Sequence, residues 1–205
     1  MKGIRILILI GVLLHGISES YAQEEENYAN TEKLYVHPYA SGGLFRLQGR
    51  ESISSFGGGL KLGYGFSKLF TLYVGSNVSI MGTIDYSDDY PANNFQIGLA
   101  QLGGQFNFHY GPKVVSYLDI ALVGAGASFI IPEGDRQFSG GGVTASGGVR
   151  YFTRPAFALD LNLAFSYIHF SRFIEPDRSE EIRQLAYVAK INFGISWFPF
   201  ISRSN

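Results

Sequence analysis

From residue 34 onward the chain alternates between apolar and small or polar positions. Residues 155–167 show this most plainly. Phe157, Leu159, Leu161, Leu163, Phe165 and Tyr167 occupy one parity, and Ala156, Ala158, Asp160, Asn162, Ala164 and Ser166 the other. Period 2 is the signature of a strand. An apolar face this long and uniform exceeds what one face of a soluble sheet needs. Eight such segments follow one another, at 34–48, 54–67, 69–86, 94–110, 113–131, 138–153, 155–167 and 184–200. This pattern predicts an all-β fold, an eight-stranded antiparallel up-and-down transmembrane β-barrel whose apolar face meets lipid.

The facing follows by parity. In the second segment Phe56, Leu60, Leu62, Tyr64 and Phe66 share the lipid side, and Lys61 faces the lumen among glycines. In the third, Leu72, Val74, Val78 and Ile80 point out, with Thr71, Tyr73, Asn77 and Ser79 inward. The fourth changes phase. Phe95, Ile97 and Leu99 are odd, whereas Leu102, Phe106 and Phe108 are even. If apolar means lipid throughout, a bulge near Gln101 is required, since one extra residue flips every face that follows. Asp119, Arg150, Asp160 and Lys190 then join Lys61 in the lumen. A barrel of this size is just filled by its own side chains. The five charges therefore read as an ion network, with Arg150 bracketed by Asp119 and Asp160. Tyr64, Phe66, Phe106, Phe108, Tyr110, Tyr151 and Trp197 gather toward one rim, as an aromatic belt at a membrane interface does.

The connections alternate. Ser67-Lys68, Gly111-Pro112 and Thr153-Arg154-Pro155 are minimal turns. Residues 49–53, 87–93, 132–137 and 175–183 are longer and carry acids such as Asp88, Asp89, Glu133, Asp135, Asp177, Glu180 and Glu181. Outer-membrane barrels have short periplasmic turns and longer outer loops. The expected location is therefore the outer membrane of a Gram-negative cell envelope, with both termini periplasmic. Lys2 and Arg5 before the apolar run Ile6–Leu14, then Ser20-Tyr21-Ala22, read as a secretory signal peptide cleaved after residue 22. Residues 23–33 read as a flexible periplasmic tail, 34–200 as the barrel and 201–205 as a short overhang. Loss of 1–22 removes two cations and one anion, which moves the formal charge from −1 to −2. No basic field is left for nucleic acid.

The absence of Cys excludes disulfides and thiolate metal sites. His15, His37 and His109 are scattered without metal-ligand spacing. Gly57–Gly59 and Gly140–Gly142 precede no helix, so they are not phosphate loops; strand curvature accounts for them. No cofactor is expected. The expected partners are outer-membrane lipid and lipopolysaccharide, the barrel-assembly machinery during biogenesis, and an unidentified protein at the outer loops.

The hairpins FGGGLKLGYGFSKLFTLYVG and GGVTASGGVRYFTRPAFALDLNLAFSY resemble the small eight-stranded outer-membrane barrel proteins of the OmpA/OmpX type. The resemblance covers essentially the whole chain after the signal segment. It implies a non-enzymatic envelope protein acting through stability, adhesion or interaction at its loops. Two departures stand out. Trp197-Phe198-Pro199-Phe200 is followed by five more residues, where such proteins often end on an aromatic, and no peptidoglycan-binding domain follows. A second resemblance lies in Tyr167-Ile168-His169-Phe170-Ser171-Arg172. His-x-Ser resembles the lipid A deacylase barrels, which implies His169 as base, Ser171 as nucleophile and Glu175, Glu180 or Glu181 as the orienting carboxylate. That family places Asn after the serine, and here Arg172 stands there. A third reading is a narrow, porin-like pore or carrier for a small solute.

Overall fold

The computed structural model describes residues 29–82, 84–85, 91–131, 134–175 and 178–200. The signal segment 1–22, the tail up to residue 28 and the overhang 201–205 lie outside these residues. So do Asp88, Asp89, Glu133 and Asp177, and the side chains of Asp135 and Tyr110. Eight long strands form the wall: β1 Lys33–Leu47, β2 Ser52–Gly65, β3 Phe70–Met81, β4 Pro91–Tyr110, β5 Val114–Ile131, β6 Gly134–Arg154, β7 Phe157–Ile174 and β8 Ser179–Trp197. A two-residue segment, Ile84–Asp85, pairs with Pro91 and Ala92 between β3 and β4. Each strand runs antiparallel to the next, and β1 pairs with β8, so the sheet closes on itself. Closure leaves no free edge, the condition a sheet must meet to cross a bilayer.

The closing seam is interrupted between the Val36–Trp197 and Tyr39–Gly194 pairs. Pro38 lies in that gap and has no N–H to give the ladder.

On all eight strands the outward positions are largely apolar over a similar height, with Ser76 on β3 an exception. The band runs from Phe157 to Tyr167 on β7, from Trp197 to Tyr187 on β8, from Phe66 to Phe56 on β2 and from Phe70 to Ile80 on β3. About ten residues at roughly 3.3 Å each, tilted by about 40°, give a band about 25 Å tall. Rings edge it at the turn end, where Trp197 stacks on Phe157 at 6.3 Å and Tyr64 meets Phe66 at 5.1 Å. At the loop end Tyr167 meets Tyr187 edge-on at 5.6 Å.

Beyond that band, toward the loop end, the pattern inverts. The outward residues become Gln96, Gly98, Gly126, Ser128, Gln137 and Ser139. The inward ones are Phe45, Met81, Phe95, Ile97, Leu99, Phe129, Phe138, Ile168 and Phe170, all buried in one cluster. This corrects the expected bulge. Odd residues of β4 face inward on both sides of Gln101, and its register with β5 runs unbroken from Gln96 to Tyr110. Phe95, Ile97 and Leu99 break the parity rule because the lumen itself is apolar at that height.

Two further expectations change. The strands extend further toward the loop end, so two of the long connections shrink to residues 132–133 and 175–178. The tail is not loose throughout. Ala29 N donates to Pro112 O at 2.8 Å, and Thr31 Oγ1 donates to Lys68 O at 2.9 Å, so residues 29–32 lie tied under the turns.

Candidate functional site: the lumen and the loop rim

Parity delivers Lys61, Asp119, Arg150, Asp160 and Lys190 to the inside, where all five are buried. Lys61 and Asp119 pair at 2.9 Å, and Tyr73 OH donates to the second carboxylate oxygen at 3.0 Å. Arg150 and Asp160 face each other across the β6–β7 ladder and pair at 2.9 Å. Tyr117 OH donates to the other Asp160 oxygen. The expected bracket of Arg150 by two acids is therefore replaced by two separate pairs. Aromatic rings complete the guanidinium's shell, with Tyr117 at 5.2 Å, Tyr35 at 5.3 Å and Phe198 at 5.4 Å from its carbon. The negative faces of such rings attract an enclosed cation.

Glycines make room for these rings. Tyr35 lies directly opposite Gly63, Tyr73 opposite Gly103 and Tyr117 opposite Gly148 in the ladder. A Cβ on Gly148 would lie 2.7 Å from the Tyr117 ring, and one on Gly103 would lie 2.6 Å from the Tyr73 ring. The glycines opposite the tyrosines thus let each ring lie flat across the neighbouring strand. Sequence reasoning assigned the chain's glycine clusters to curvature and missed this pairing. The available signal was an inward-parity Tyr with an inward-parity Gly on the adjacent strand.

Lys190 stands apart from both pairs. Its ammonium donates to Ser79 Oγ at 2.7 Å and to Asn77 Oδ1, and no described carboxylate pairs with it. Around it an amide and hydroxyl lattice fills the section. Asn192 donates to Asn162 at 2.7 Å, Asn162 donates to Ser146 at 2.8 Å, and Thr144 meets Ser166 at 2.7 Å. The space left among these groups is about 20 Å³, room for about one water. Phe152, Phe198, Tyr35 and Val115 close the turn end. The aromatic cluster described above closes the other.

One lumen contact has the residue types of a serine triad. Ser196 Oγ lies 3.1 Å from His37 Nδ1 and 3.2 Å from Asp160 Oδ2. The wiring is wrong for an activated nucleophile, which needs the histidine between the other two. Here the serine is in the middle. Asp160 is committed to Arg150 and Tyr117, and no substrate reaches the three buried groups.

At the loop rim, His169 and Ser171 share a groove of about 590 Å³ with Arg172, Glu181, Ile182 and Arg183. Ser171 sits where the β7–β8 register slips, between the pairs Phe170–Gln184 and Arg172–Glu181. Among the described residues no hydrogen bond joins His169, Ser171 and Glu175. Arg136 at 2.8 Å and Arg178 hold Glu175 instead, and the Arg178 bond keeps its carboxyl below the usual range. Glu180 pairs with Arg178 at 3.2 Å. The base–nucleophile–acid chain implied by the deacylase resemblance is not assembled. The interface residues Tyr64, Phe66, Phe106, Phe108, Tyr151 and Trp197 are all exposed on the outer wall.

The sequence matches no protein-family model and no curated protein. Solved structures share the architecture. The chain is similar to Neisserial surface protein A, with 17% identity and TM-score 0.53 over 78% of this chain and 95% of that one. It is similar to Ail, the attachment invasion locus protein of Yersinia pestis, with 14% identity and TM-score 0.52 over 82% and 100%. It is also similar to OprG from Pseudomonas aeruginosa, with 8% identity and TM-score 0.56 over 84% and 98%. With its closed wall and outward apolar band, the chain has the fold of the small eight-stranded outer-membrane β-barrel proteins.

Proposed function

We propose that this is a non-catalytic outer-membrane barrel that projects a rigid collar and its loops from the cell surface, with both termini in the periplasm. The carrying observation is the filled lumen. Buried ion pairs, an amide lattice and an aromatic plug in series leave no route for a solute. The collar is built like a soluble barrel, with an apolar core inside and small polar residues outside. Such a construction suits a solvated platform for interaction. Orientation rests on both ends of the barrel wall meeting at the turn end, where Lys33 Nζ donates to Phe200 O. The loop end also carries the longest connection.

The chain has no cysteine, so single-cysteine variants give clean labels. An impermeant maleimide should label Ser171→Cys in intact cells and Lys68→Cys only after permeabilisation. The opposite pattern would invert the proposed orientation. Purified protein in liposomes should admit no small sugar or ion above the lipid background. Steady flux would favour the pore reading.

A further inference from the structure

Outside the lumen, cations are unevenly spread. Just past the Tyr167–Tyr187 pair, the outward side chains include His169 and Arg172 on β7, Arg183 on β8 and Arg46 on β1, all exposed. Arg46 is the ladder neighbour of Tyr187. Followed along the ladder, the same row continues as Ser139 and Gly141 on β6, Gly126 and Gly124 on β5 and Gly98 and Ala100 on β4. On the far side it continues as Ser52 on β2. The positive charge therefore occupies one sector of the rim.

These arginines are not spent on neighbours. None of Arg46, Arg172 and Arg183 forms an ion pair with a described carboxylate, while the nearby Glu175 and Glu180 are held by Arg136 and Arg178. Glu181 is the one acid lining the groove. The Arg46 Nε is oriented by a bond to Arg50 O at 3.1 Å, which leaves its terminal nitrogens free to donate. Below the groove the wall is wholly apolar, with Phe165, Tyr167, Tyr187, Ile191 and Phe193 exposed.

A ligand that satisfies both parts carries phosphate on a headgroup and acyl chains beneath it. Arginine forks match phosphate oxygens. At the edge of the band they sit at headgroup height, where each basic residue gains about fivefold in attraction to anionic lipid. From this we infer that the groove of Arg172 and Arg183, flanked by Arg46, is a binding site for the phosphate of a phosphorylated lipid headgroup. The leaflet involved rests on the orientation proposed above; the ligand chemistry does not.

The test is native mass spectrometry of the refolded mature chain in non-ionic detergent. The probes are diphosphoryl lipid A, its enzymatically dephosphorylated form, and phosphatidylcholine. Wild type should retain the diphosphoryl lipid at least tenfold better than the other two. R172Q/R183Q should weaken it about 25-fold, R46Q about fivefold, and K68Q/R154Q at the opposite rim should leave it unchanged. The heat-dependent shift in gel mobility checks that each variant is folded. If the double variant does not fold, R183Q alone serves, together with a salt titration of wild type that should release the lipid. Equal retention of the dephosphorylated lipid, or an unaffected double variant, overturns the site. Arginine-dependent capture of soluble heparin without capture of lipid A also overturns it, in favour of a soluble polyanion. Phosphate-dependent binding with Ser171→Cys unlabelled in intact cells keeps the site and overturns the orientation alone.

Discussion

The two halves of this barrel solve opposite problems with the same strands. In the turn-side half the outside is Leu, Ile, Val and Phe, and the inside holds Lys61, Asp119, Arg150 and Asp160. In the loop-side half the inside holds Phe45, Phe95, Phe129 and Phe138, and the outside is Gly, Ser and Gln. The backbone pleat does not change between them; the solvent does. Lipid rewards apolar residues outside and tolerates a polar core whose charges are paired or hydrogen-bonded. Water beyond the headgroups restores the ordinary rule, with the hydrophobic effect again directed inward. The height of the inversion therefore marks the edge of the membrane.

The comparison breaks most severely at Arg150. Arg150→Met leaves Asp160 charged and enclosed, and removing one partner of a buried pair costs about 3–5 kcal/mol. Urea unfolding in lipid vesicles should show that loss, and Arg150→Met with Asp160→Asn should recover most of it. A single variant as stable as wild type would mean that the lower lumen is solvated. In the upper half the expected cost is cavity formation. Phe95 is fully buried against Phe45 at 5.2 Å and Phe129 at 5.7 Å. Phe95→Ala should therefore destabilise by about 3–4 kcal/mol, where a lipid-facing Phe would lose far less.

A smaller contrast locates the boundary. Leu161→Arg, inside the band, should cost about 2–4 kcal/mol. Ser128→Arg, also outward but beyond it, should change stability by no more than about 0.5 kcal/mol. Equal penalties at both positions would remove the boundary from where the inversion places it. The smallest effect belongs to the loop clamp. Glu175 is held below its unfolded pKa, so its stabilisation is present above the unfolded value, about 4.3. It is lost as pH falls through the folded one. The urea midpoints of wild type and Glu175→Gln should differ slightly at pH 7, and the gap should narrow as pH falls below the unfolded value; a gap that does not change with pH would exclude the charged clamp as its cause.

Parity alone carried most of the fold. Leu161 against Asn162, or Leu72 against Tyr73, needs only period 2 to be placed. The error on β4 came from applying one solvent to the whole strand. Phe95 and Gln105 share a face because the lumen changes character along its length, and local alternation does not report that change. The buried charges were legible for the same reason as the leucines, but their partners were not. Strand tilt and register decide which inward residues meet, so Arg150 found Asp160 and three rings while Asp119 went to Lys61. The arginine cluster at the rim escaped notice because Arg46 reaches the hairpin of Arg172 and Arg183 only across the seam that closes the barrel.

The seam between the first and last strands has a consequence for biogenesis. Lys33 and Phe200, bonded to each other, are 167 positions apart. Phe198, part of the box around Arg150, follows directly on β8. Until β8 meets β1, the sheet is an open ribbon with two unsatisfied margins, and Arg150, though paired with Asp160, lacks part of its ring shell. Closure of this seam carries the entropic cost of bringing distant strands together. A truncation within β8 should yield no smaller barrel, only a chain unable to leave whatever holds it.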